Sequence, residues 1–132
     1  MSGRVDLIRR AHDALNSGDV EALLEECDPG FRLDMSDRVL NPAVYEGHEG
    51  IRRFVAEVHE AWEKFTWEPE ELVESGDHVL ALIHSTGRGR GSGLELDRRA
   101  AMLWRVPGER AVSLRFFRCR DAAREAARLE SE

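Results

Sequence analysis

A chain of 132 residues lies within the usual size of one domain, and we expect residues 1–132 to form a single domain. Apolar residues make up 42% and charged residues 34% of the chain, a globular balance rather than that of a disordered or membrane-embedded protein. The formal net charge is −7, and the arginines alternate with acids, which excludes the concentrated basic face of a nucleic-acid-binding protein.

Two further patterns predict the compartment. Cys27 and Cys119 lie far apart and fit neither a disulfide framework nor a zinc motif, so both are expected to be ordinary thiols. The N-terminal residues lack an apolar signal core, and no segment approaches the ~20 apolar residues of a membrane span. We therefore expect a cytoplasmic protein with no membrane partner.

The first part of the chain predicts two helices. Apolar residues of segment 4–16 fall on one helical stripe, and Asn16-Ser17-Gly18 supplies a stop. Asp19 is expected to cap the N-terminus of a second, short helix, which Asp28-Pro29-Gly30 ends.

A strand and a long helix are predicted next. Phe31, Leu33 and Met35 alternate with polar residues, the period of a half-buried strand, and the alternation extends to Asp37. After an irregular segment at 38–47, residues 48–65 carry one wide apolar face of helical period.

After the long helix, apolar and polar residues again alternate with the period of strands. Turn signals at 75–77, 91–93 and 107–109 separate four predicted strands, over 67–74, 78–90, 94–106 and 111–118. Adjacent antiparallel pairing is the natural topology, and the Ala-rich segment 121–129 is expected to form a short closing helix or a frayed end.

This order of elements, together with four short motifs, resembles the SnoaL-like and ketosteroid-isomerase-like branch of the nuclear transport factor 2-like fold. The motifs lie between the first helices, at the start of helix three, at a hairpin and in the last strand: residues 14–19, 45–52, 87–93 and 112–123. The resemblance implies a cone-shaped α+β barrel in which a curved mixed or antiparallel sheet packs on the long helix and two N-terminal helices. It also implies a small-molecule pocket and frequent homodimers through the outer face of the sheet. It implies no single activity, because similar proteins serve as isomerases, polyketide cyclases, epoxide hydrolases, dehydratases or non-catalytic binding modules.

Asp37 is the first candidate catalytic residue. Strand parity places it on the face of the apolar residues, where a carboxylate at a pocket rim loses solvation and can act as a general base. The resemblance implies that role for an Asp near the end of this strand, since ketosteroid isomerase uses an Asp as its general base. The alignment could equally choose Asp34, and Asp37 could equally cap the turn before Arg38.

Classical steroid isomerisation is not expected. The isomerase stabilises its enolate with a Tyr on helix one and a protonated Asp on a late strand. By the resemblance these two positions fall at Ala11 and Met102, neither of which can donate a proton.

His84 and Arg118 complete the candidate catalytic set. His84 shares strand parity with Leu80 and Leu82 and could polarise a carbonyl, or it could be a satisfied core or interface histidine. Arg118 could hold an oxyanion bidentately or simply reach water. The five histidines form no metal motif, so neither a metal site nor a cofactor is expected.

The candidate pocket residues are large apolar side chains on the inward faces: Met35, Trp62, Met102, Trp104 and Phe116. They could equally be plain core, in which case the fold would serve as an oligomerisation module. We expect a small apolar ligand and cofactor-free acid–base chemistry of isomerase, cyclase or hydrolase type on an oxygenated substrate. The alternative is a non-catalytic ligand-binding or accessory protein.

Overall fold

A computed structural model describes residues 3–39 and 41–130, and Leu40 of the predicted irregular segment lies outside the described residues. Within these ranges there are four helices and six strands, which confirms the predicted α+β class. In chain order they are α1 (Gly3–Ser17), α2 (Val20–Glu26), β1 (Cys27–Asp34), β2 (Val44–Glu46), α3 (Gly47–Ala61), β3 (Trp62–Ser75), β4 (His78–Gly89), β5 (Glu95–Arg105), β6 (Ala111–Phe117) and α4 (Arg120–Glu130).

The six strands form one mixed sheet in the order β2-β1-β6-β5-β4-β3. β1 and β6 are parallel, with Leu33 opposite Leu114, and the other neighbours are antiparallel. The predicted antiparallel neighbours from β3 to β6 are all present. β1, which precedes α3 in the chain, joins the sheet beside the last strand.

The sheet separates two apolar layers. Alternate residues of β4 and β5 belong to the main core on the side of α1, α2 and α3: Val79, Ala81, Ile83, Ala100, Met102 and Trp104. The intervening residues face the other side and pack with Ala123 and Ala127 of α4: Leu80, Leu82, Ala101 and Leu103. The α4 helix therefore covers part of the outer face of the sheet.

Two polar side chains of α1 bind the helix to the sheet. Asn16 accepts a hydrogen bond from the Trp67 backbone N–H at 2.7 Å and donates to the Trp67 carbonyl at 3.2 Å. His12 lies 2.8 Å from the same carbonyl through Nδ1 and 3.1 Å from the Trp104 indole nitrogen through Nε2. These contacts fix α1 against the inner side of β3 and β5.

The largest boundary error concerns α3, which ends at Ala61 rather than at the predicted Phe65. Trp62 to Phe65 instead begin β3 and pair with residues 87–89 of β4. Gly87 leaves room for two rings here, because a Cβ on it would lie 2.7 Å from Phe65 and 3.0 Å from Trp62. Cross-strand packing thus overrides the helical period of these aromatic residues.

Strand β1 also differs from its prediction. It begins at Cys27 and passes through Pro29 and Gly30, which were expected to separate a helix from a strand. The register shifts between Cys27 and Arg32, so the pairing with β6 is interrupted where Pro29 cannot donate a hydrogen bond. The short strand β2 lies in the segment predicted to be irregular. The sequence pattern does not predict this strand, because three residues are too few to show an alternation.

Candidate functional site

Asp37 and Arg118 contact each other beyond the ends of β1 and β6. The Asp37 Oδ2 accepts a hydrogen bond from the Arg118 backbone N–H at 2.9 Å. The Oδ1 lies 3.6 Å from the Arg118 guanidinium, and the Asp37 side chain is 44% exposed. Both carboxylate oxygens therefore have partners at the rim of the sheet.

Asp34, the alternative acid, closes a local turn. Its Oδ1 accepts hydrogen bonds from the backbone N–H and the hydroxyl of Ser36, at 3.0 and 2.6 Å. Partial burial raises the pKa of Asp34, but the two hydrogen bonds from Ser36 and the nearby Arg32 and Arg115 together lower it by more, so the net pKa is below the usual value. A carboxylate stabilised in its charged form is a poor general base.

His84 lies on the outer face of the sheet. It shares a row with Leu80 and Leu82, as strand parity predicts, but this row is the one that packs toward α4. Its Nε2 is 2.7 Å from the Asp97 carboxylate. The prediction that His84 acts together with Asp37 and Arg118 is therefore corrected. The sheet separates the His84 ring from the inner side, so the three side chains do not form one site.

The inner side of the sheet encloses a cavity of about 490 Å³, which we call the main cavity. Three of the predicted pocket residues line it, namely Met35, Trp62 and Phe116. The polar residues of the remaining wall are Arg38, Asn41, Glu57, Ser92 and Arg98. Its other residues are apolar or glycine: Val39, Val58, Ala61, Phe65, Trp67, Gly89, Leu94 and Leu96.

Met102 and Trp104, the other two predicted pocket residues, lie deeper. They are 0% and 1% exposed and border only a gap of about 10 Å³, close to the volume that one water needs. Trp104 packs against Phe31 with 6.1 Å between the ring centres. Both residues therefore belong to the core and do not line the main cavity.

Three charged side chains line the main cavity, and none of them was predicted from the sequence. Arg98 reaches over the ring of Phe116, with 5.0 Å between the guanidinium carbon and the ring centre. Arg38 and Glu57 belong to the same wall and lie in the loop after β1 and on α3. The charged groups of the cavity are therefore two cations and one carboxylate.

Tyr45 links Arg38 to Glu57. Its hydroxyl donates a hydrogen bond to Glu57 at 2.6 Å and accepts one from Arg38 at 3.1 Å. Burial raises the pKa of Tyr45, and the hydrogen bond to Glu57 raises it further, so the hydroxyl stays protonated near neutral pH. This chain of three side chains holds the Glu57 carboxylate at the cavity wall.

A signal for Arg98 was present in the sequence. It occupies the same strand parity as Leu96, Ala100 and Met102, so an alternation that places those residues inward places Arg98 inward too. Glu57 and Arg38 carry no such signal. Glu57 lies beside the apolar stripe of α3, and Arg38 lies in a loop whose path the sequence pattern does not determine.

A second cavity, of about 170 Å³, lies on the far side of the same aromatic wall. It shares Val58, Trp62, Phe65 and Trp67 with the main cavity. The end of α1, the middle and end of α3 and the start of β3 supply the rest of its border. Trp62 and Phe65 form an edge-to-face pair with 5.0 Å between ring centres. This pair is a partition between the two cavities.

Within residues 3–39 and 41–130, no three His, Cys, Asp or Glu side chains are grouped as metal ligands. None of the helices described in the structure has the length and apolar character required to span a membrane.

Comparisons with known proteins identify the fold and the family. Residues 8–114 match the family model described as the SnoaL-like domain. A comparison with curated proteins gives no match.

Solved structures share the fold over nearly the whole chain. An NTF2-like protein of unknown function from Burkholderia pseudomallei is 21% identical, with a TM-score of 0.79 over 95% of this chain and 97% of the other. TerC, crystallised with polyporic acid, is 20% identical, with a TM-score of 0.77 over 96% and 99%. A proposed SnoaL-like polyketide cyclase from Jannaschia sp. CCS1 is 21% identical, with a TM-score of 0.76 over 95% and 91%.

At these identities the structures show a common NTF2-like cone fold and no common activity. The family model covers most of the chain, from α1 into β6, and includes the residues that line the main cavity except Phe116. The chain belongs to the SnoaL-like family.

Proposed function

We propose that this SnoaL-like protein binds a small, largely apolar, oxygen-bearing molecule in the main cavity. The observation that carries the proposal is the cavity itself, because about 490 Å³ lies within the usual range of small-molecule sites. An oligomerisation module would need no such space. The mostly apolar wall with a few polar groups is also typical of a ligand site.

The aromatic wall favours a ligand with a flat ring. Trp62, Phe65 and Trp67 stand side by side, with 5.0 and 4.6 Å between successive ring centres, and Phe116 lies on the sheet side. Aromatic side chains bury large apolar areas and contact other rings edge-on or with an offset. TerC and the Jannaschia protein, one crystallised with polyporic acid and the other a proposed cyclase, support a small-molecule role for this fold.

Blocking the cavity tests the proposal. Leu96 lines the main cavity and is only half-buried, so Leu96→Trp adds a ring to the space with little demand on the core. Leu129→Trp is the matched control, because Leu129 lies on α4 and is 56% exposed. The readout is a thermal-shift screen against cyclic ketones, polyketide-like aromatics and epoxides, since a ligand of the folded state raises the melting temperature.

The proposal predicts that at least one class stabilises the wild type and the Leu129→Trp variant but not the Leu96→Trp variant. If no class stabilises the wild type, or if Leu96→Trp responds as the control does, the main cavity is not a ligand site.

A second candidate function is cofactor-free proton transfer, and the placement of Glu57 favours it. The Glu57 carboxylate borders the main cavity, is half-exposed, and lies 3.6 Å from Arg53. With the guanidinium groups of Arg38 and Arg98 bordering the same space, it provides a general base and a means of stabilising an enolate oxygen. The base predicted from the sequence, Asp37, is instead bound to Arg118 at the rim.

Exchange of the α-protons of 1-tetralone in deuterated water tests this candidate by NMR. If Glu57 is the base, Glu57→Gln slows the catalysed exchange about a hundredfold, whereas the control Glu60→Gln leaves it unchanged. A matching loss in Asp37→Asn alone would return the role to Asp37. No exchange above the uncatalysed rate in the wild type would reject proton transfer on this ketone and leave the binding proposal standing.

A further inference from the structure

Arg98 is the one charged residue in an inward-facing apolar row of β5. Its neighbours in this row are Leu96 and Ala100, and Ala100 is fully buried. The Arg98 guanidinium carbon lies over Phe116, 5.0 Å from the ring centre. A long cationic side chain is thereby held in the wall of the main cavity instead of extending into water.

Arg98 has no carboxylate in contact among the described residues. Its buried Nε–H also has no hydrogen-bond acceptor there, and the same is true of the Arg38 Nε–H. The next residue of the strand, Arg99, faces the outer side and is bound to Glu70 at 3.2 Å. Buried donors are usually paired, so an unpaired Nε–H on each of two arginines whose side chains line one cavity is unusual.

A further polar group lies beside Arg98. Ser85 is directly across the strand pair from Arg98 and is 1% exposed. Its hydroxyl has no partner within the described chain. The neighbourhood of Arg98 thus combines unpaired donors from three side chains with an apolar wall.

The charges around Arg98 are mainly positive. Arg38 and Arg118 act on it from the loop after β1 and from the end of β6, and Asp37 opposes them. Burial lowers the pKa of Arg98, and the two neighbouring arginines lower that pKa further. Glu57 is the one carboxylate in the cavity wall, and it is hydrogen-bonded to Tyr45. An added negative charge would therefore be attracted to this end of the cavity.

We propose that Arg98, with Arg38, forms an anion subsite in the main cavity, and that the ligand is an apolar ring system carrying one carboxylate. The inference rests on the proposed binding function and names the chemical class of its ligand. A planar carboxylate matches the donor geometry of a guanidinium group, and the rings occupy the space between the aromatic walls.

Two probes of nearly equal shape and different charge test the subsite. The probes are 2-naphthoate and 2-naphthylmethanol, and the measurement is isothermal titration calorimetry at constant pH and ionic strength. The test variant is Arg98→Met, which keeps an unbranched side chain over Phe116 and removes the charge. The control is Arg99→Met, on the same strand but on the other face of the sheet.

The subsite predicts that the wild type binds 2-naphthoate at least about tenfold more tightly than 2-naphthylmethanol. Arg98→Met abolishes that preference by weakening 2-naphthoate alone, and Arg99→Met keeps it. Equal binding of the two probes by the wild type would overturn the anion subsite and leave the binding function intact. An Arg98→Met protein that keeps the preference would overturn the subsite in the same way. Failure of both probes to bind would overturn the subsite, whereas the proposed function fails only in the thermal-shift screen, and the wild-type comparison decides even if Arg98→Met does not fold.

Discussion

At the scale of single residues, His12 is a buried base whose two partners fix its protonation state. A carbonyl can only accept a hydrogen bond, so Nδ1 carries the proton toward Trp67, and the indole N–H of Trp104 makes Nε2 an acceptor. A second proton, on Nε2, would point at the indole N–H of Trp104, which is itself a hydrogen-bond donor. Burial lowers the pKa of His12 from 6.5 to about 4, against the smaller opposing effect of the Trp67 carbonyl.

This arrangement predicts a pH dependence of stability with a definite sign. Because the folded pKa is below the unfolded one, the unfolded chain binds the extra proton first as the pH falls. The contribution of His12 is fully present above pH 6.5 and is lost progressively down to about pH 4. Between about pH 7.5 and about pH 5 the loss is roughly 2 kcal/mol.

Urea unfolding of the wild type and His12→Gln at these two pH values measures the effect. Glutamine can reproduce both hydrogen bonds without titrating, so its free energy of unfolding should fall by about 2 kcal/mol less than that of the wild type over this interval. His59→Gln, at an exposed position of α3, is the control and should follow the wild type. Equal losses in all three proteins would show that His12 is not the titrating group.

Single residues also show how far the sequence predicts the site. Strand parity placed Met35 and Phe116 on the inward faces correctly, and both line the main cavity. The same rule put Leu80, Leu82 and His84 on one face, but parity does not tell which face of a sheet the helices cover. The tertiary arrangement of α4 decides that, and it puts His84 on the outside.

At the scale of elements, the start of β3 is set by its packing on β4. Residues 62–65 continue the apolar period of α3, and no local signal ends the helix at Ala61. The rings of Trp62 and Phe65 are accommodated by Gly87, on the strand opposite. An element boundary that depends on a partner more than twenty residues away is not predictable from local periodicity.

Gly87→Ala tests this dependence. The added methyl group would lie 2.7 and 3.0 Å from the two rings, so overpacking is expected to cost about 1–3 kcal/mol of unfolding free energy. Gly108→Ala is the control, because a Cβ there meets nothing within 4 Å, and its effect should stay within about 0.5 kcal/mol. Chemical denaturation measures both. A Gly87→Ala protein as stable as the control would mean that the rings do not depend on this gap.

At the scale of the whole molecule, the homodimer through the sheet stays a prediction. α4 already covers the apolar rows of β4 and β5 on the outer face, and the rows beyond it carry charged side chains such as Arg88, Glu95 and Asp97. A dimer formed there would have a polar interface and would weaken as salt screens its charges.

Sedimentation equilibrium over a range of protein and salt concentrations tests the dimer. The expected result is a mass approaching twice the 15.0 kDa of one chain at low salt, with dissociation as salt is added. A mass of one chain at every concentration and at low salt would contradict the prediction.

The whole molecule combines a formal net charge of −7 with a positively charged end of its main cavity. The sequence predicted the fold class, the order of most elements and an inward apolar face, because these follow from local periodicity. It did not predict the grouping of Arg38, Glu57 and Arg98 around one space, which depends on the loop after β1 and on how α3 crosses the sheet.

The most direct measurement is a crystal structure of the protein with 2-naphthoate. We expect the naphthalene rings in the main cavity between Trp62 and Phe116, with the carboxylate within hydrogen-bond distance of the Arg98 guanidinium. A probe bound elsewhere, such as in the smaller cavity beside α1, would contradict the claim that the main cavity is the ligand site. A main cavity that stays without the probe at saturating concentration would contradict it as well.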